Sequence, residues 1–250
     1  MVEEILEQLH TMTPALILTL GLAIGLQHAF EPDHVAAVST QVSKRKYKSQ
    51  SIKQTFVDGT LKSSILGAIW GVGHTTTLVL MGLIIYLLAV NVPENIFMGL
   101  EFIVGIMLVF LAFTTFYNKK LFQLKHIHTH SHDDGTIHTH PHEHDGDHKH
   151  THKSYIIGCI HGLAGSGSLV VLTASTLENV ETVLSFILIF GIGSIIGMTV
   201  VSSLIGLPFA FTNKITTINR ILKYVAGSAS LLIGANILYE IGIANNLFGL

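Results

Sequence analysis

Six apolar runs of 19 to 25 residues recur along this chain, at 14–38, 65–89, 99–117, 155–176, 183–205 and 221–241. About 20 residues of helix cross a hydrocarbon core ~30 Å thick, so each run is long enough to span a bilayer. The fold class expected is an all-α multi-pass membrane protein with six transmembrane helices. Composition agrees, because charged residues make up 12% of the chain, half of the ~25% usual in soluble domains, and mean hydropathy is +0.55. The single cysteine, Cys159, excludes an internal disulfide and any CxxC motif. Residues 1–12 carry Glu3, Glu4 and Glu7 without lysine or arginine, so they lack the basic start of a cleavable signal and are expected to be retained. No GxxxxGK[ST] phosphate loop occurs, and outside one polar insert nothing resembles a nucleic-acid-binding chain.

That insert, 118–154, divides the chain. It holds eleven of the sixteen histidines: His126, His128, His130, His132, His138, His140, His142, His144, His148, His150 and His152. Such a segment cannot bury an apolar face and is expected to be a disordered loop. Neutral imidazoles at this density bind divalent metal, which suits a metal buffer. With alternating spans, all fourteen lysines and arginines fall on one side of the membrane: six after the first span, five in the His-rich loop and three near the loop after the fifth. Basic residues stay cytoplasmic. Hence the expected arrangement is a cell-membrane protein with both termini outside and the His-rich loop inside.

The halves 1–117 and 155–250 echo one another. GLQH (25–28) resembles GCIH (158–161), IWGVG (69–73) resembles IFGIG (189–193), and Gly105 and Tyr117 match Gly227 and Tyr239 in the closing spans. Three spans per half must invert, so a 3+3 inverted repeat with a site at its interface is expected.

The first run contains GLQHAFEPDHVAAV, with His28, Glu31, Asp33 and His34 inside an apolar stretch. Ionisable residues there cost at least a few kcal/mol and mark function. On a straight helix His28 and His34 point ~120° apart. Pro32 supplies an interruption that lets them converge, since it removes a helical hydrogen bond and disfavours helix at Glu31. His74 in WGVGHTTTL and His161 in HGLAGSGS add imidazoles from the second and fourth spans. Glu31 is carried either as an accessory ligand or as a solvated carboxylate at the mouth of the site. A centre of three or four imidazoles with one or two carboxylates suits Ni, Zn, Cu or Fe rather than Mg or Ca.

The HxxxxDH pattern of His28, Asp33 and His34, the GH followed by threonine at Gly73 and His74, and the His-rich loop resemble the nickel/cobalt transporter superfamily. HGLAGSGS is similar to its short branch of UreH-type urease-accessory membrane proteins. The resemblance spans nearly all six helices and implies transport of Ni(II), sometimes Co(II), with His28, Asp33, His34 and His74 at the motif positions. Metallochaperones and urease or hydrogenase maturation proteins are the cytosolic partners it implies. Two departures stand out. Only Thr173, Ala174 and Ser175 remain of a later acidic motif, and Ser202 replaces the carboxylate of a GMxxxD motif beginning at Gly197. Ser202, with Ser166 of HGLAGSGS, is carried as an accessory candidate.

A secondary carrier of Ni(II), with Co(II) next, is therefore expected, with the ion as cargo, the bilayer as surroundings and no resident cofactor. Metal binding requires neutral imidazoles, so membrane potential or a coupled proton would drive it. The rivals are a nickel, cobalt or zinc exporter, a metal-delivery scaffold, and a metalloenzyme. The last lacks HExxH, and the apolar spans hold none of the repeated histidine boxes of bound-metal chemistry.

Overall fold

The computed structural model describes residues 14–47, 51–88, 93–117, 127–131, 137–141, 148–164 and 180–247. The first expected span is two helices, α1 (Pro14–His28) and α2 (Pro32–Val42). Pro32 takes the first position of α2, where its missing N–H costs nothing, and holds Glu31 extended at φ −60°, ψ 144°. Between the helices Phe30 N–H donates to the Gln27 carbonyl at 2.9 Å and Glu31 N–H to that of His28 at 3.1 Å.

Helix α3 (Ile52–Leu88) is 37 residues long, ~55 Å at 1.5 Å per residue. It starts thirteen residues before the expected 65, because the lysines that read as loop lie on its surface while Thr55, Gly59 and Ser63 form a buried stripe of small residues. Gly59 meets Ala210, and Ser63 meets Gly206, on a later helix. Small residues at four-residue spacing let helices in lipid pack closely. Helix α4 (Glu94–Phe116) follows Pro93.

Within the loop expected to be disordered, β1 (Ile127–Ser131) and β2 (Ile137–Pro141) pair antiparallel, His128 opposite His140 and His130 opposite His138. Strict alternation of histidine with Ile or Thr is a strand period, which explains this departure. Helix α5 (His148–Ala164) also starts earlier than 155 and takes in His148, His150 and His152. The continuation expected to 176, with Ser166, lies outside the described residues, as do His126, His132, His142 and His144.

Helix α6 (Val180–Phe211) runs through Pro208 instead of ending before it. Pro208 gives up one hydrogen bond, yet its own carbonyl accepts from Thr212 N–H at 3.0 Å and Oγ1 at 2.7 Å. Helix α7 (Thr216–Tyr239) passes into a π-helical turn, Glu240–Ala244.

Among the described residues four stretches are long and apolar enough to cross a membrane: Ile52–Ile85, Asn95–Phe116, Glu181–Phe211 and Thr216–Ala244. Six were expected. The difference arises because the first run is broken at Pro32 and the fourth is described only to Ala164. Exposed apolar side chains at helical spacing, such as Ile103, Ile106 and Phe110 on α4 and Leu188, Ile192 and Ile196 on α6, form the outer faces that lipid covers in a membrane protein.

The largest interface joins α3 to α6, with α3 also on α5, α1 on α6 and α4 on α7. Several close backbone approaches are reciprocal. A Cβ on Gly25 of α1 would strike the Phe190 carbonyl of α6, and one on Gly158 of α5 would strike the Trp70 carbonyl of α3. Gly193 abuts the Leu22 carbonyl as Gly73 abuts that of Tyr155. The basic segments gather at one end, where Lys44 Nζ donates to Thr114 Oγ1 at 2.7 Å, Lys62 Nζ to the Lys46 carbonyl at 2.9 Å and Asn213 Nδ2 to the Tyr47 carbonyl at 2.7 Å.

Candidate metal centre

Interrupting the helix after His28 turns two residues that a straight helix would separate into neighbours. The rings of His28, the last residue of α1, and His34, in the first turn of α2, have centroids 4.4 Å apart. His74 of α3 lies 5.2 Å from His28 and 5.4 Å from His34, and His161 of α5 lies 4.8 Å from His34. Gly73 and Gly158 allow this by bringing the α3 and α5 backbones into contact beside these two rings. His34, His74 and His161 are fully buried and His28 is nearly so.

Carboxylates set the ring orientations. Glu31 Oε1 lies 2.7 Å from His28 Nδ1, and Asp33 Oδ1 lies 2.9 Å from His34 Nδ1. An ionised carboxylate only accepts, so each Nδ1 carries the proton and each Nε2 carries the lone pair, the atom a metal would use. The Nε2 atoms of His34 and His161 have no hydrogen-bond partner. Such buried, unpartnered atoms cost about 1–3 kcal/mol each unless a ligand completes them. One ligand atom from each of His28, His34 and His74 can be chosen so that all lie within 4.8 Å of one another, and the same holds for Asp33, His34 and His161. His34 belongs to both groups.

The chain is 38% identical over 234 residues to the urease accessory protein UreH of Bacillus sp. (strain TB-90), an alignment covering 94% of this chain and 95% of that relative. This chain belongs to the UreH family. No family model matches it, and no solved structure does.

In this UreH-family chain the structure brings together all five residues singled out for the centre, His28, Asp33, His34, His74 and His161. Glu31 is half exposed, beside both α1–α2 histidines. Ser202 is not in the cluster. It is buried against Gly67 on α3, seven residues or ~10 Å from His74. Sequence reasoning missed the aromatic walls, where Phe190 packs 5.4 Å from His28 and Trp70 packs 5.4 Å from His161. The matching IWGVG and IFGIG stretches held that signal, since Trp70 and Phe190 occupy the same place in each. His74 and Ser194 follow these stretches at corresponding positions, and Ser194 is also fully buried. An imidazole in one stretch thus corresponds to a hydroxyl in the other.

Proposed function

We propose that this protein is a secondary transporter that carries a divalent transition-metal ion, Ni(II) first and Co(II) next, across the cell membrane through the His28, His34 and His74 cluster. The observation that carries this reading is the convergence of three buried imidazoles from a broken helix and its neighbour, with ligand atoms within 4.8 Å, inside an apolar bundle. Imidazole suits nickel, cobalt and zinc, whereas a structural hydrogen-bond network would not leave the Nε2 of His34 without a partner. Asp33 supplies compensating charge, and His161 extends the coordination on the opposite side of His34. The urease accessory relative favours nickel as cargo and import as direction, delivering metal toward urease maturation partners in the cytosol.

The reciprocal glycine contacts support a 3+3 inverted repeat in which 1–117 and 155–250 are the two halves. Gly25 on Phe190 and Gly158 on Trp70 are the same contact made twice. The gathering of lysines at one end supports a cytoplasmic position for that end and for the His-rich loop, with both termini outside. The loop histidines act as a metal buffer beside the exit.

The test is Ni(II) uptake into liposomes reconstituted with protein lacking residues 126–152, compared with Co(II), Zn(II) and Mg(II) and with His28→Ala and His74→Ala. Removing the loop eliminates chelation that would imitate uptake. Saturable Ni(II) flux lost in both variants is expected. Binding without flux would make the chain a metal-delivery scaffold.

A further inference from the structure

Beyond Asp33 the centre gives onto a cavity of about 350 Å³ at the end of the bundle remote from the lysines. Its walls carry four carboxylates, Glu31, Asp33, Glu101 of α4 and Glu240, together with the Asn245 amide, and among the described residues no basic side chain lines it. Glu101 and Glu240 come from opposite halves of the chain. The π-helical turn holds the second of these at the rim: Asn245 N–H donates to the Glu240 carbonyl at 2.8 Å, and Asn246, at φ 53°, ends the turn. Turns of this kind recur at functional sites.

Carboxylates alone would be an acidic rim of no particular meaning. Here a second observation points inward. His161 is fully buried, and its Nε2, which has no hydrogen-bond partner, lies 3.7 Å from Oδ2 of Asp33, a residue that lines the cavity. His34, whose Nε2 also has no partner, belongs to the same group. Oxygen ligands on one side of Asp33 and nitrogen ligands on the other make a graded path.

We propose that this cavity is a second cation site, a carboxylate vestibule that takes a hydrated divalent ion and passes it through Asp33 to the imidazoles. Hard oxygen ligands bind hydrated Mg(II) or Ca(II) as readily as a transition metal. The vestibule therefore concentrates divalent cations without selecting among them, and selection falls to the imidazoles. This inference rests on the transport reading above, and its test separates the two.

Full-length protein in liposomes is assayed for initial Ni(II) uptake as wild type, Glu101→Gln, Glu240→Gln, the double variant and Glu101→Asp. Each is checked for monodispersity by size exclusion. The double variant is expected to raise the KM for Ni(II) about tenfold with maximal rate within about twofold, and Glu101→Asp to stay near wild type. Excess Mg(II) is expected to raise the wild-type KM and to leave that of the double variant unchanged. A double variant with wild-type KM and wild-type Mg(II) sensitivity overturns the vestibule while leaving transport intact. A lowered maximal rate at unchanged KM overturns it too, since that assigns the carboxylates to packing. Equilibrium binding supplies the arm independent of flux: a Mg(II)-displaceable fraction of bound Ni(II), present in wild type and in His34→Ala, is expected to vanish in the double variant. Its persistence there rejects the proposal even if no variant transports.

Discussion

Asp33 Oδ1 accepts two hydrogen bonds from the residue that follows it, one from the His34 backbone N–H and one from Nδ1, each 2.9 Å long. The carboxylate thereby caps the first turn of α2 and fixes the imidazole with its Nε2 lone pair toward the cluster. One side chain thus satisfies an N–H in the first turn of α2 and orients its histidine. Carboxylates in this position orient metal-binding imidazoles and raise their basicity.

Replacing Asp33 by Asn keeps an acceptor for Nδ1 but removes the charge. Ni(II) affinity at the centre, measured as the concentration giving half-maximal flux, is expected to weaken about 10- to 100-fold. The elution profile on size exclusion should stay that of wild type.

Pro32→Ala restores a backbone N–H at the start of α2 and removes the restriction on Glu31. The helix is then free to continue from His28 into α2, which would turn the two imidazoles apart. Saturable Ni(II) flux should fall about 10-fold or more, as for other losses of ligand orientation, with thermal stability in detergent unchanged or raised. Full flux in Pro32→Ala would show that tertiary contacts, and not this proline, hold the break.

The paired glycine contacts predict paired damage. Gly25→Ala and Gly158→Ala each push a methyl into a facing carbonyl, and overpacking of this kind costs about 1–3 kcal/mol. Both should lower the melting temperature by similar amounts. A Gly158→Ala protein as stable as wild type would count against equivalence of the two halves.

Lys44 gives the fold a pH dependence away from the centre. Desolvation, with the like charge of Lys153 adding to it, pulls its amine down to about 8 from 10.5. An amine depressed in the folded state binds fewer protons there than in the unfolded chain. Its cost is therefore present at neutral pH and is relieved as pH rises from about 8 toward 10.5. Lys44→Met removes that cost but also the bond to Thr114 Oγ1, a loss independent of its titration. The melting temperature of Lys44→Met minus that of wild type should therefore fall as pH rises across this window, and a constant difference would rule out the shift.

Much of the centre was legible in the sequence because its residues are expensive in lipid. His28, Asp33, His34, His74 and His161 stood out for that reason, and Pro32 located the break that unites the first three. Glu101 and Glu240 gave no such signal. Each lies near the end of its expected span, where a carboxylate reads as interfacial, and only packing of α4 against the end of α7 puts both on one cavity. The boundaries of α3 and α6 were hidden for a related reason. Lysine and proline are local signs of an ending, whereas the small-residue stripe of Thr55, Gly59 and Ser63 acts only through a partner helix.

The sequence by itself determined that most of the chain is apolar and helical, that its polar investment lies in a few histidines and carboxylates, and that short stretches such as IWGVG and IFGIG recur along it. Hydropathy and the cost of buried charge are local properties of residues, so they can be read along a line. The tertiary structure alone decided which imidazoles meet, that His34 is shared by two groups of ligands, and that carboxylates from both halves line one cavity. Those are distances between segments far apart in the chain, fixed by how closely glycine lets helices approach, and no linear pattern contains them.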